Sequence, residues 1–485
     1  MEKTFLLQKD NSKAYCKKTQ GITLIALVVT IVVLLILAGI TISLVFSENG
    51  IIAKAREAAE KTNQAVINEQ AQMNELADYM ENMLNGIGGS GTTPEEPEPE
   101  LPSDGSYSEE KGVNTPNLGE GMTAIKWDET ANDGAGDWVE TDGSDPDWYD
   151  YSAKKWANAK TADGSMWVWI PRYAYSIPSA GYHKSTATEI SIEFMKGTRN
   201  EGATGQQIVN YDSSTTTNYT QFPNGYVIHP AFNYGQTVSG IWVAKFEASP
   251  VGATTEVANS EYDGTDKKLQ VVPGVSSWRS ITISNIYDVC KAYNEELNSH
   301  MMKNDEWGAV AYLSKSKYGK NDEVTINSNS SFYTGGGSGN AYVNNGAQST
   351  TGNVWGVYDM SGRAWERVAA YVDNGNGNLT SYGKSLVNGD QKTKNVYAKG
   401  SSDSRENNYS ANAGVYGDAV YETSTSGSGT TSWYSDSSHF PGTSSPFFVR
   451  GGIYANGSGI GVFFFDGSDG DGYFDHSFRP VLVAN

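Results

Sequence analysis

Cysteine and histidine are scarce in this chain of 485 residues. It has 2 cysteines, Cys16 and Cys290, and 5 histidines. A disulfide-stapled scaffold and a metal site built from several thiolates are therefore excluded. The histidines show no metal-ligand spacing such as HxxxH, so no metal site is predicted. The sequence identifies no cofactor.

Positively charged residues are also few. Lys and Arg number 35 against 56 Asp and Glu, which leaves a net charge of −21. A surface with this balance repels phosphate, so nucleic acid is excluded as a partner.

Aromatic side chains, in contrast, are abundant: 29 Tyr, 15 Phe and 12 Trp. They can bury enough apolar surface to offset the entropy of ordering the chain, which excludes a wholly disordered protein. The length predicts two to four segments at about 150 residues each.

An uncharged, apolar run occupies residues 22–46, between Lys18 and Glu48. Since about 20 apolar residues cross a bilayer, the run predicts a single transmembrane helix. Lysines before it predict a cytoplasmic N-terminus and an extracellular C-terminal domain, anchored in the cell membrane. A buried core helix and a cleaved secretory signal are the alternatives.

The junction before this run resembles the leader of type IV pilins and pseudopilins, through the string KKTQGITLI at 17–25. The resemblance implies that a prepilin-type peptidase cuts after Gly21 and frees Ile22. It also implies type IV pilus or pseudopilus subunits as partners and a pilus-associated location. Ala26 stands where that family usually has the Glu that aids assembly, which favours anchoring over polymerisation.

The pilin resemblance, which implies the boundary at Gly21, and changes in composition divide the chain into four parts. Residues 1–21 are the predicted leader, and residues 22–84 the transmembrane helix with an exterior extension. Residues 85–110 contain the string TPEEPEPE and predict an extended linker. Residues 111–485 are then one large exterior domain.

This domain is predicted to be a loop-rich α+β fold. Short apolar runs alternate with stretches of Gly, Ser, Asn and Thr. Amphipathic spacing predicts helices at 283–297 and 304–314. Cys290 falls on the apolar side of the first, where a packed, unreactive thiol is expected.

Strings spread along the domain resemble, in their order, the formylglycine-generating-enzyme (sulfatase-modifying) branch of the C-type lectin fold. They are WVWIPRY (167–173), YVIHPAF (226–232), GIWVAKFE (240–247), NDEWGAVAYL (304–313), GNVWGVYDMSGRAWE (352–366), VRGG (449–452) and SFRPV (477–481). The resemblance implies a C-type lectin-like domain after the pilin-like helix.

Catalytic members of that superfamily hold copper with a cysteine pair or iron with histidines. Here Cys290 is alone in the domain, so an oxygen-dependent enzyme is disfavoured and no catalytic residue is predicted. A paired-carboxylate hydrolase is the other enzymatic alternative, with Asp359 and Glu366 as candidates. We expect both to be buried, hydrogen-bonded acids instead.

The stretch 453–477 resembles the variable region of proteins targeted by diversity-generating retroelements. In those systems AAY codons become NNY codons, which never encode Met, Trp, Gln, Lys or Glu, and none of these residues occurs in the stretch. Its aromatic and small polar residues suit an antibody-like contact surface. The predicted binding residues are Ile453, Tyr454, Asn456, Gly459, Ile460, Phe464, Asp466, Gly467, Ser468, Asp469, Asp471, Tyr473, Phe474, Asp475 and His476.

Strand alternation predicts that Val462, Phe463 and Phe465 belong to a core strand and that Phe464 faces the ligand. The function expected is a cell-surface-anchored adhesin or receptor, without enzymatic activity. Its ligand would be a protein or glycan on another cell or phage. A structural minor pilin is the alternative.

Overall fold

Short strands make up most of the regular structure in a computed structural model, which describes residues 107–208, 225–254 and 260–484. All of them belong to one compact unit, Glu100–Asn485. The strands are β1 (Tyr107–Ser108), β2 (Val113–Asn114), β3 (Met122–Asp128), β4 (Asp137–Glu140), β5 (Asn158–Thr161), β6 (Met166–Pro171), β7 (Tyr173–Ser176), β8 (Ser191–Phe194), β9 (Val227–Ile228), β10 (Gly240–Ala244), β11 (Ser249–Pro250), β12 (Leu269–Gln270), β13 (His300–Met301), β14 (Trp365–Asp373), β15 (Asn395–Ala398), β16 (Phe447–Arg450), β17 (Phe465–Ser468), β18 (His476–Phe478) and β19 (Pro480–Leu482).

Seven strands form an antiparallel sheet in the order β13-β19-β10-β6-β5-β3-β4. Its central strands β6 and β10 are buried along their whole length. Trp169 and Trp242 are direct cross-strand partners, with ring centroids 5.2 Å apart. Aromatic pairs of this kind stabilise a sheet beyond the area that they bury.

A second sheet carries the C-terminal segment. Its order is β15-β14-β16-β17, and β18 pairs with β14 as well. The long strand β14 is parallel to β18 over its first residues and to β15 over its last, while β16 pairs with it in the antiparallel sense. The smaller sheets are β1-β2, β11-β12 and β8-β7-β9.

Two helices of 11 residues each pack on these sheets. The α-helices of the described residues, apart from short 3-10 turns, are α1 (Ala131–Gly134), α2 (Ile283–Tyr293), α3 (Asn304–Ser314), α4 (Asn378–Ser381), α5 (Lys384–Asn388) and α6 (Arg405–Ala411). The prediction of α3 is confirmed, and Glu306 caps its start by accepting the backbone N–H of Lys303 at 2.8 Å. The first predicted helix ends early, because Asn294 adopts an extended conformation.

Fully buried tryptophans lie at widely separated points of the chain and hold the loops to one core. They are Trp148, Trp156, Trp167, Trp169, Trp242, Trp278, Trp307 and Trp433. Burying indoles at this density supplies the apolar area that a loop-rich domain needs.

The predicted membrane topology requires correction. Within the described ranges, no helix is long and apolar enough to cross a membrane. The longest α-helices there, α2 and α3, have 11 residues, against the roughly 20 that a span requires. The fold class with a transmembrane helix and the membrane-anchored location are therefore not supported, and the structure shows a mixed α/β domain with few helices.

Several predicted features of the N-terminal part lie outside the described residues. They are the leader at 1–21 with its cleavage site Gly21 and Ile22, the apolar run at 22–46, the extension to residue 84 and most of the linker at 85–110.

Candidate ligand-binding site

The C-terminal stretch 453–477 forms two loops on either side of β17. The first loop comprises residues 453–460, and the second loop comprises residues 469–475. Between them, β17 pairs with β16 in the antiparallel sense, so the intervening backbone is fixed in the sheet. The stretch is thus part scaffold and part exposed loop.

Strand register brings the two loops together. Arg450 pairs with both Glu366 and Phe465, and His476 pairs with Trp365. The end of β16 and the starts of β14, β17 and β18 therefore lie at one end of the sheet. The first loop begins and ends there, and the second loop returns to the same end.

The two loops share an aromatic base. Tyr454 of the first loop meets the ring of Phe332 edge-on, with centroids 5.4 Å apart. The guanidinium of Arg279 lies 4.0 Å from the same ring, and it donates a hydrogen bond to the carbonyl of Phe474 in the second loop. Phe332 and Arg279 come from distant parts of the sequence, and no local pattern marks either as part of a site.

Trp365 is the other shared element. This half-buried indole stacks on Phe464 at 6.5 Å and meets His476 edge-on at 4.8 Å. It packs against the small cluster that contains Ile453 and also against the one that contains Ile460. One side chain thereby supports both loops from below.

Two adjacent aromatic side chains project from the second loop into solvent. Tyr473 is 41% exposed and Phe474 is 58% exposed. The other exposed large hydrophobic residues in the described part of the chain are Val251 and Val396. Neighbouring exposed aromatics are uncommon on a soluble surface and indicate an interaction site.

The first loop adds small and polar groups to this surface. Asn456 is exposed, and Tyr454 and Gly459 are partly exposed. A Cβ at Gly459 would meet nothing closer than an oxygen 4.0 Å away, so this position has room for a side chain. The predicted residues that remain partly exposed elsewhere are Asp466, Gly467, Asp469, Asp471 and Asp475.

Other predicted binding residues are buried, which corrects the sequence-based assignment. They are Ile453, Ile460, Phe464, Ser468 and His476. Phe464 packs with Val449 and Ile460 because the chain turns at 461–464 and strand alternation begins only at Phe465. The predicted burial of Val462, Phe463 and Phe465 is confirmed, although only Phe465 lies in a strand.

Gly467 is partly exposed, yet it has no room for a side chain. A Cβ there would lie 2.8 Å from the backbone oxygen of Ser445. The position is therefore part of the scaffold of β17, in contrast to Gly459 of the first loop.

Carboxylates surround the exposed aromatics. Asp469 accepts the hydroxyl hydrogen of Tyr473 at 2.8 Å, and this bond raises the pKa of Tyr473 to about 12. Arg367 is fully buried beneath the loop and donates to the backbone carbonyl of Asp471. Burial lowers the pKa of Arg367 to about 10, while Asp469 and Asp471 oppose that shift.

His476 holds the end of the second loop in place. Its ring contacts the rings of Trp365 and Tyr473, and the Tyr473 ring centroid is 5.1 Å away. Its Nδ1 lies 2.8 Å from the carboxylate of Asp475. Burial lowers the pKa of His476 to about 4, so the ring is neutral at physiological pH. Its position suits packing and not ligand contact.

The residues considered for catalysis lie in the core. Cys290 is buried on α2, and burial raises the pKa of its thiol well above the usual value. Asp359 accepts hydrogen bonds from Asn327 and from the backbone of Gly335, both at 3.0 Å. Glu366 accepts from Arg479 at 2.6 Å. The prediction that both acids are buried and hydrogen-bonded is confirmed.

Histidines take varied structural positions. His229 is buried among aromatic rings, and burial lowers its pKa to about 3. His300 bonds to Glu306 at 2.9 Å, and His439 lies 3.2 Å from Asp466. Across residues 107–208, 225–254 and 260–484, no group of three or more His, Cys, Asp or Glu is arranged to hold a metal ion.

No protein-family model matches this chain, and no curated protein sequence matches it significantly.

Proposed function

We propose that this protein is a ligand-binding protein whose specificity resides in the first and second loops, and that a retroelement diversifies this C-terminal surface. The observation that carries the proposal is the adjacent exposure of Tyr473 and Phe474 on the second loop, which rests on a buried scaffold. Tyrosine and phenylalanine offer large contact area at low entropic cost.

The division of the stretch into tolerant and intolerant positions supports diversification. Positions 456, 459, 473 and 474 face solvent or open space, and position 454 is partly exposed beside the ring of Phe332, so these positions can accept other side chains. The scaffold beneath them is tightly packed, with Ile460 fully buried and Phe464 only 2% exposed. A surface that varies on a constant framework needs both features.

The codon signature is the second support. Residues 453–477 contain none of the five amino acids that NNY codons cannot encode. Sequencing the DNA beside the gene gives a direct check, because diversification requires a near-copy of these codons next to a reverse-transcriptase gene. If the neighbouring DNA contains neither the near-copy nor a reverse-transcriptase gene, the retroelement part of the proposal is contradicted.

Binding capacity can be tested without the natural ligand. One library of the displayed full chain carries NNY codons at positions 454, 456, 459, 473 and 474, and a second carries them at 460, 464, 467 and 476. Both are selected against lysozyme as a test protein. We expect folded members and lysozyme binders from the first library, and loss of folded protein from the second.

Two outcomes would contradict the proposal. If the first library loses folded protein as often as the second, the loops are scaffold. If its folded members yield no binders across several test proteins, the surface lacks the adaptability of a contact site.

A cleft of about 690 Å³ elsewhere offers a rival location for a ligand. Val251, Leu269 and Tyr293 are among its lining residues, and its volume is in the range of small-molecule sites. Val251→Ser therefore distinguishes the two locations. We expect it to leave binding by selected library members unchanged, whereas a loss of binding would assign the ligand to the cleft.

A further inference from the structure

The charges around the exposed aromatics are arranged asymmetrically. Asp469 and Asp471 are partly exposed on the second loop, and Asp475 follows Phe474. The cations in contact with this loop, Arg279 and Arg367, are both fully buried. The loop therefore presents carboxylates to a ligand while its positive partners face the interior.

The two buried guanidinium groups form their hydrogen bonds within the protein itself. Arg279 donates to the carbonyl of Phe474 and lies 3.2 Å from the carboxylate of Glu261, which is exposed. Arg367 donates to the carbonyl of Asp471. Both cations support the loop backbone from inside, so neither is offered to a partner.

Neighbouring segments add more negative charge. Asp263 accepts the backbone N–H of Thr282 at 2.9 Å, and the next residue, Ile283, donates its N–H to the carbonyl of Gly470 at 3.0 Å. Asp263 is exposed and thus lies next to the second loop. The rim of the site is acidic on the side where Glu261 and Asp263 lie.

From this arrangement we infer that the ligand is a positively charged protein segment, in which Lys or Arg side chains pack on Tyr473 and Phe474 and face the surrounding carboxylates. The inference rests on the proposed function, since it concerns the same two loops. Cations bind favourably over aromatic faces, and opposite charges across an interface raise both the rate and the specificity of association.

The same charges disfavour a glycan. Charged glycans carry carboxylate, sulfate or phosphate groups, which this rim would repel, and neutral glycans gain nothing from the carboxylate–cation attraction. The net charge of −21 also repels anionic glycans and attracts cationic ligands over a longer range.

The test uses a phage-displayed library of random dodecapeptides, selected on the immobilised full chain. We expect the enriched peptides to be rich in Lys or Arg together with an aromatic or aliphatic residue. Their binding should weaken as ionic strength rises, because salt screens exposed charges. The double variant Asp469→Asn, Asp471→Asn should reduce their affinity by about three- to tenfold, since each exposed charge contributes modestly.

Two controls separate this inference from the proposed function. Asp147→Asn, which neutralises an exposed carboxylate elsewhere, should leave affinity unchanged. Tyr473→Ser with Phe474→Ser should abolish binding of the same peptides.

Each outcome has a defined meaning. If the enriched peptides are neutral or acidic, and they fail to bind the variant Tyr473→Ser with Phe474→Ser, the inference is overturned and the proposed function stands. If the enriched peptides, whatever their charge, bind the variant Tyr473→Ser with Phe474→Ser as tightly as they bind the parent protein, the inference and the proposed function are both overturned. Basic peptides with the expected losses would support both.

Discussion

The backbone N–H of Trp365 donates to the carbonyl oxygen of Asp475 at 3.0 Å, and the Trp365 ring lies edge-on to His476. The first residue of β14 thus fixes the end of the second loop while its indole supports Phe464 behind the first. This relationship explains how a stretch rich in glycine can present side chains at defined positions, and it leads to testable consequences.

The exposed aromatics should matter little for folding. Tyr473→Ser with Phe474→Ser should change the free energy of unfolding by no more than about 1 kcal/mol, because exposed substitutions usually cost about 0.5 kcal/mol or less each. Urea unfolding followed by tryptophan fluorescence measures this. His476→Ala is the comparison and should cost about 2 kcal/mol, since it empties a buried position between Trp365 and Tyr473. Equal losses in the two variants would place the aromatics in the core.

Two glycines of the stretch should respond differently to the same substitution. Gly459→Asp places its side chain in open space and should leave stability within about 0.5 kcal/mol. Gly467→Asp brings a Cβ to 2.8 Å from the oxygen of Ser445 and should cost about 1 to 3 kcal/mol. Thermal unfolding of the two variants side by side decides the matter. A stable Gly467→Asp protein would mean that β17 moves freely.

Stability should fall as pH rises from about 6.5 to 8, because His229 and His476 are neutral in both the folded and the unfolded chain there and do not oppose the buried acids. Burial raises the pKa of Asp436 to about 8 and that of Glu422 to about 7, so in this window the folded chain holds protons that the unfolded chain has released. Each group lowers the free energy of unfolding by at most about 1.4 kcal/mol per pH unit there. Urea midpoints across the range provide the measurement.

A variant assigns this pH dependence to a residue. Asp436→Asn keeps an acceptor for the Phe463 N–H and removes the titrating group, so it should flatten the slope. The exposed Asp147→Asn serves as the matched control and should leave the slope as it is. An unchanged slope in Asp436→Asn would assign the effect to other acids.

Cys290 should be inert in the folded protein. Its side chain is fully buried, so a reagent cannot reach the sulfur, and burial raises the pKa of the thiol, so little reactive thiolate forms. In a Cys16→Ser background, a chromogenic disulfide reagent should detect no thiol under native conditions and one thiol in concentrated urea. Rapid native reaction would show that α2 opens readily.

The sequence by itself determined the local and compositional properties of this protein. The spacing of Trp307, Val310 and Ala311 predicted α3 correctly, because residues three and four positions apart fall on one side of a helix, although the structure buries all eleven residues of α3. The burial of Cys290 also followed from the sequence, since this residue stands on the apolar side of its predicted helix, and the expected burial of Asp359 and Glu366 is confirmed as well.

Only the tertiary structure decided which residues of 453–477 face solvent. Phe464 and Phe465 are adjacent and chemically identical, and both are buried because the chain turns at 461–464 before β17 begins, whereas strand alternation through both residues would have exposed one. The base of the site depends on Phe332, Arg279 and Trp365, which the register of β14, β16 and β18 and long-range packing bring beneath the loops. Contacts between segments so far apart along the chain leave no local trace, because periodicity reports only the neighbours within one element.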